Sequence, residues 1–103
     1  MKVYQLKVSG LDYYLEPVFK TKEAAMQYKE SKYIHRELDI CECTLDISSD
    51  YVYRIKYLDD EGYMLGNSIF SSLESARENG EDNIIVKENI LSGLTDKCEL
   101  VEV

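Results

Sequence analysis

The chain has no tryptophan, a single proline, a single histidine and few basic residues. No stretch of apolar residues approaches the roughly 18 that a membrane-spanning helix needs. One proline in 103 residues excludes a proline-rich linker or a polyproline segment. The five glycines are scattered and fall in no phosphate-cradling or dinucleotide-binding pattern. His35 stands between Ile34 and Arg36-Glu37, and no motif supplies a nucleophile for it to activate, so it reads as a surface residue. The chain is therefore expected not to be an enzyme, with no catalytic residues and no cofactor.

Three cysteines cannot all pair within one chain, and with no signal-like apolar segment after Met1-Lys2-Val3-Tyr4 the expected setting is a reducing cytoplasm. Cys41, Cys43 and Cys98 with His35 match a zinc set by count alone. Cys-x-Cys inside an alternating segment lacks the tight-turn spacing of structural zinc sites, so core packing is the expected role and no metal is expected.

Acidic residues number twenty against twelve basic ones, a net charge of −8. Residues 1–48 hold seven basic and eight acidic residues, net −1, whereas residues 49–103 hold five and twelve, net −7. Such a field repels nucleic acid and anionic membranes and draws basic protein surfaces. Lys20, Lys22, Lys29, Lys32 and Arg36, interleaved with Tyr28 and Tyr33, form a basic segment that Glu23 and Glu30 dilute. Direct nucleic-acid binding is not expected.

Nine tyrosines favour half-buried strands and contact surfaces, and several of them recur at a fixed interval. Tyr4-Gln5-Leu6-Lys7-Val8 returns as Tyr53-Arg54-Ile55-Lys56-Tyr57, 49 residues on. Tyr13 and Leu15 return as Tyr63 and Leu65 at an offset of 50, and the segment from Phe19 returns from Phe70 at 51. A drift of this size fits single insertions at turns.

Each copy reads as strand, turn, strand, helix, strand. Val3–Val8 alternates, with Tyr4, Leu6 and Val8 on the buried face and Val3, Gln5 and Lys7 outside. Pro17 places the return strand, 13–19, on an edge or at a bulge. Thr21 caps a helix over 22–32 whose Ala24, Ala25 and Tyr28 face the sheet. Cys41, Cys43, Leu45 and Ile47 form the apolar face of a third strand. In the second copy Tyr53, Ile55 and Tyr57 are the buried face, with Arg54 and Lys56 outside. Gly66-Asn67 suggests a bulge or a second bend. Ser71 and Glu74 match a capping box, and Asn79-Gly80 ends the helix. Asn83–Lys87 reads as a further strand, and Cys98–Val101 resembles Cys41–Thr44.

The expected fold is α+β: a tandem β-β-α-β repeat, with antiparallel sheet or sheets and one helix per repeat packed on a face. Residues 1–48 form the first unit. Residues 49–103 form the second, acidic unit with an insertion near 83–96, the two together one compact domain.

The expected function is a non-enzymatic protein-interaction module, binding a partner with a basic surface through Asp59, Asp60, Glu61, Tyr63, Glu78, Glu81 and Asp82. Its sharpest form is a nucleic-acid mimic that inhibits a host nuclease or defence protein, as phage and mobile-element inhibitors do: carboxylates such as Glu42 and Asp46 recur along a strand at about 3.3 Å per residue, close to the phosphate rise. The alternative, from another class, is a small-molecule-binding or sensor domain with a pocket between the two units lined by Tyr53, Tyr57 and Tyr63. Unpaired strand edges leave a monomer or a homodimer open.

Overall fold

The computed structural model describes residues 1–11, 13–46, 50–60 and 62–103, with the side chains of Glu16, Asp59 and Tyr63 not among those described. The fold is mixed α+β, dominated by antiparallel strand pairing, with two helices. In chain order the elements are β1 (Lys2–Val8), β2 (Tyr14–Phe19), α1 (Lys22–Lys32), β3 (Leu38–Thr44), β4 (Tyr51–Asp59), β5 (Gly62–Leu65), α2 (Leu73–Gly80), β6 (Ile84–Leu91) and β7 (Leu100–Glu102). They gather into two compact units, one of Met1–Leu45 with Ile90–Cys98, the other of Asp46–Asn89 with Glu99–Val103.

In the first unit β1 lies between β2 and β3, antiparallel to both. Val18 and Phe19 of β2 also pair, in parallel, with Ile90 and Leu91 at the end of β6. The expected alternation of β1 puts Tyr4, Leu6 and Val8 under α1, where they meet Phe19, Ala24, Ala25 and Leu38. Two adjacent alanines let the helix sit close to the sheet, and Tyr28 fills the remaining space against Phe19, ring centroids 5.1 Å apart. Thr21 caps the helix as expected, its hydroxyl accepting the Ala24 N–H at 3.0 Å.

Two expectations for this unit are corrected. Val3 and Gln5 are not outside: they are 0% and 6% exposed, so β1 is buried on both faces. The third strand runs one residue out of phase with its reading. Leu6 faces Ile40 and Val8 faces Leu38 across the ladder, and these join the core under α1. Cys41 and Cys43 stand on the opposite face, half-buried beside Gln5 and Val3. Leu38, the first residue of β3, enters the core and sets the phase of the strand; Ile47 lies outside the described residues.

In the second unit β4 lies between β5 and β6, again antiparallel to both, and β7 adds to β6. Ile55, Ala76 and Ile85 form its small core with Tyr53, Phe70 and Leu73. Gly80 ends α2 so close to the sheet that a Cβ there would come within 2.9 Å of Ile85 Cδ1 and 3.2 Å of Ile55 Cγ1.

Three corrections belong here. Arg54 is not solvent-facing but 1% exposed, on the face of β4 away from α2. Ser72, not Ser71, caps α2, its hydroxyl accepting the Ser75 N–H at 3.1 Å, so the Ser71–Glu74 pair is not the capping box. The place beside β4 is taken by β6, with Lys56 facing Ile84 and Tyr51 facing Asn89, while the Cys98–Val101 segment leads into β7 on the far side of β6.

Both return strands are bulged. Tyr4 faces Phe19 and Lys7 faces Tyr14. Tyr53 faces Phe70 and Lys56 faces Leu65. In each hairpin two residues of the first strand are spanned by four of the second, Leu15–Val18 in one and Gly66–Ile69 in the other. The bulge anticipated at Pro17 and the one at Gly66-Asn67 thus occupy the same register.

Candidate functional site

The charge separates along the two units more sharply than along the halves of the sequence. Eight basic and eight acidic residues leave the first unit neutral, and four against twelve give the second the whole −8. Within the second unit two carboxylates are engaged internally. Glu88 is 0% exposed and faces Arg54, with Arg54 Nε 3.0 Å from Oε1 and Nη2 donating to Oε2 at 3.5 Å. The Nε contact is an ion contact whose angle falls outside hydrogen-bond geometry. Arg54 Nη1 also donates to the Gly66 carbonyl at 3.3 Å, tying the ion pair to the bulge. Glu102 accepts from Lys56 Nζ at 2.9 Å.

Among the carboxylates left over are four that the sequence singled out. Asp60, Glu78, Glu81 and Asp82 are all exposed. Among the described residues no basic side chain pairs with any of them. Asp59 ends β4 and Tyr63 lies in β5 facing Leu58, while Glu61 lies outside the described residues. The ladder places the two acidic turns at one end of the unit. β4 runs on past Lys56 to its turn with β5 after Asp59, and β6, antiparallel to it, enters at Ile84 opposite Lys56. The turn that feeds β6, Glu81-Asp82-Asn83, therefore leaves the sheet from the same end as Asp59-Asp60.

That turn is strained. Glu81 has φ 50° and ψ −114°, and the Asn83 N–H donates to the Gly80 carbonyl at 2.8 Å. This is a type II′ turn with Glu81 at the position that demands glycine. The sequence carries a glycine one residue early, at Gly80, where the close approach to Ile55 and Ile85 requires it.

The strand carboxylates proposed to imitate phosphates are otherwise engaged or outlying. Glu42 accepts from the Tyr4 hydroxyl at 3.2 Å and lies 3.7 Å from Lys2 Nζ. Partial burial first, and then the hydrogen bond and charge of Glu42, raise the Tyr4 phenol above its usual pKa. Asp46 is exposed beyond the end of β3.

Sequence reasoning missed two features. The Arg54–Glu88 pair had no signal, because a charged residue in an alternating strand reads as solvent-facing. The second is an open cleft of about 210 Å³ at the end of α1, lined by Lys29, Glu30, Tyr33, Ile34 and Arg36. Of the three tyrosines expected to line a pocket, Tyr53 packs edge-on against Tyr51 at 6.1 Å and joins the α2 core. Tyr57 closes over Gly66, where an added Cβ would lie 2.9 Å from its ring. Lys87 Nζ sits 3.6 Å from the Tyr51 ring centroid, a cation–π contact on the same face. Among the described residues no cluster of His, Cys, Asp and Glu is disposed to hold a metal ion, and no helix is long and apolar enough to cross a membrane.

No family model, no curated protein and no solved structure matches the chain.

Proposed function

We propose that the protein is a non-enzymatic interaction module that binds a partner's basic surface through the acidic end of its second unit. The observation that carries this reading is the distribution of the charge: one unit is neutral and the other holds −8, and the latter's exposed carboxylates Asp60, Glu78, Glu81 and Asp82 have no basic partner among the described residues. Glu81 adds weight, since an anion is kept at a backbone position that glycine would fill without strain. A surface of this kind competes with phosphates for a basic groove, so the class of partner is a nucleic-acid-binding protein, such as a nuclease of a host defence, and the class of activity is inhibition by mimicry. The cytoplasmic setting rests on three free thiols.

The tandem-repeat origin of the two hairpin–helix–strand segments is part of the same proposal. It is supported by the matched bulges and by strand orders that correspond, β3-β1-β2 in one and β6-β4-β5 in the other. On that reading Arg54 stands where the first copy has Gln5, and Glu88 where it has Cys43. Function then lies where the copies differ, in the acidic turns.

The test is capture of the partner from the source cell by tagged wild-type protein and by a variant with Glu78→Gln, Glu81→Gln and Asp82→Asn. Support is a nucleic-acid-binding protein held by the wild type, lost by the variant, released by moderate salt and displaced by duplex DNA. A complex indifferent to both the substitutions and salt sinks the reading.

A further inference from the structure

The outer edge of β3 is a site for strand pairing, and we infer that its occupant is β3 of a second copy of the chain. Met1 and Leu45 exchange both backbone hydrogen bonds, Met1 N to Leu45 O at 2.7 Å and Leu45 N to Met1 O at 2.8 Å. In an antiparallel ladder such pairs alternate, so Val3/Cys43, Gln5/Cys41 and Lys7/Asp39 do the same. The N–H and C=O groups of Leu38, Ile40, Glu42 and Thr44 consequently point away from β1. Among the described residues no strand takes them up, because β3 ends the strand order.

Isolated edges are normally blunted by a proline, a bulge or a charge. β3 has no proline, and its seven residues pair with β1 in unbroken register. Both of its charged side chains are drawn back toward β1: the Ser9 hydroxyl donates to Asp39 at 3.1 Å, and Glu42 is held by Tyr4 and Lys2. The corresponding strand of the other unit shows what such an edge accepts, since the far side of β6 is covered by the antiparallel strand β7.

Charge selects the second copy as occupant. Two chains of −8 repel, but the repulsion belongs to the second unit, and the unit that carries β3 is neutral. Of the two-fold antiparallel registers, the one centred on Glu42 sets like charges directly opposite each other. The register centred on Cys41 avoids this and pairs Ile40 with Glu42 of the second copy and Leu38 with Thr44. It places Cys41 against Cys41 of the second copy in a non-hydrogen-bonded pair, with Cα atoms about 4.5 Å apart. That lies within the range a disulfide spans. Cys43 then faces Asp39.

Sedimentation across a concentration series gives the first reading, and a monomer–dimer equilibrium is expected. Glu42→Pro removes an outward N–H without touching the β1 ladder and should weaken the dimer by about tenfold or more while leaving the far-ultraviolet circular dichroism unchanged. The register is tested without altering the outward backbone groups, in chains that keep one cysteine each. Diamide takes one hydrogen from each of two thiols and is reduced to its hydrazine as the disulfide forms. The chain keeping only Cys41 should cross-link rapidly, and the chains keeping only Cys43 or only Cys98 should not. A monomer at every concentration, a dimer that Glu42→Pro leaves intact, or equal cross-linking of all three single-cysteine chains would each overturn the proposal.

Discussion

Arg54 and Glu88 form an ion pair sealed from solvent, one from each of two neighbouring strands, set diagonally so that Val86 faces Arg54 and Val52 faces Glu88. Removing one partner leaves a buried charge uncompensated, which costs about 3–5 kcal/mol. Glu88→Ala should therefore lower the urea midpoint strongly. The double change Arg54→Met with Glu88→Leu should recover most of the loss, because two apolar side chains need no pairing. A double variant as unstable as Glu88→Ala would show that the pair's contacts, such as Arg54 to the Gly66 carbonyl, matter more than its charge balance.

The cap of α2 is decided by one residue. Ser72→Ala should cost about 1 kcal/mol, since it leaves the Ser75 N–H without its acceptor, and Ser71→Ala should cost much less. Equilibrium unfolding of the two variants distinguishes the capping residue from its neighbour. The order expected from the Ser71–Glu74 spacing is the reverse.

Glu81→Gly should stabilise the chain by about 1 kcal/mol, because glycine reaches φ 50°, ψ −114° without a Cβ clash. The same substitution removes one of the four carboxylates assigned to the proposed surface, so stability should rise while affinity for the basic partner falls. Unfolding curves and binding measured on one preparation check both directions together.

Tyr4 sets an alkaline limit. Its phenol is raised above 10.0 in the folded chain, so the folded state holds this proton more tightly than the unfolded state does. The associated stability is present in full below pH 10 and is lost as pH climbs through the raised folded value. Tyr4→Phe should delete a component of the tyrosinate absorbance that titrates above the usual phenol range and make the fall in stability above pH 10 shallower.

Much of the architecture was legible because short-range patterns carry it. The alternation of β1 and β4, the Thr21 cap, the paired alanines of α1 and the bulges near Pro17 and Gly66 are each local, and each produced the element it promised. The phase of β3 was not legible, since Leu38-Asp39-Ile40-Cys41 offers apolar residues to both faces and only the ladder with β1 chooses between them. Arg54 failed for a related reason: alternation separates two faces but does not say whether the second is covered. The acidic residues were identifiable by type, whereas their position at one end of a sheet followed from the register of β4 with β6.

The sequence by itself determined the class of fold, the approximate bounds of most elements and the acidity of the second half, because these depend on periodicity, turn chemistry and composition. Tertiary structure decided which face of β3 enters the core, that Arg54 and Glu88 are buried together, that β6 and not the segment after Cys98 lies beside β4, and that an entire charge of −8 rests on one unit. Each of these is a pairing between residues far apart in the chain, and such pairings are chosen by the summed fit of whole strands, which no local pattern contains.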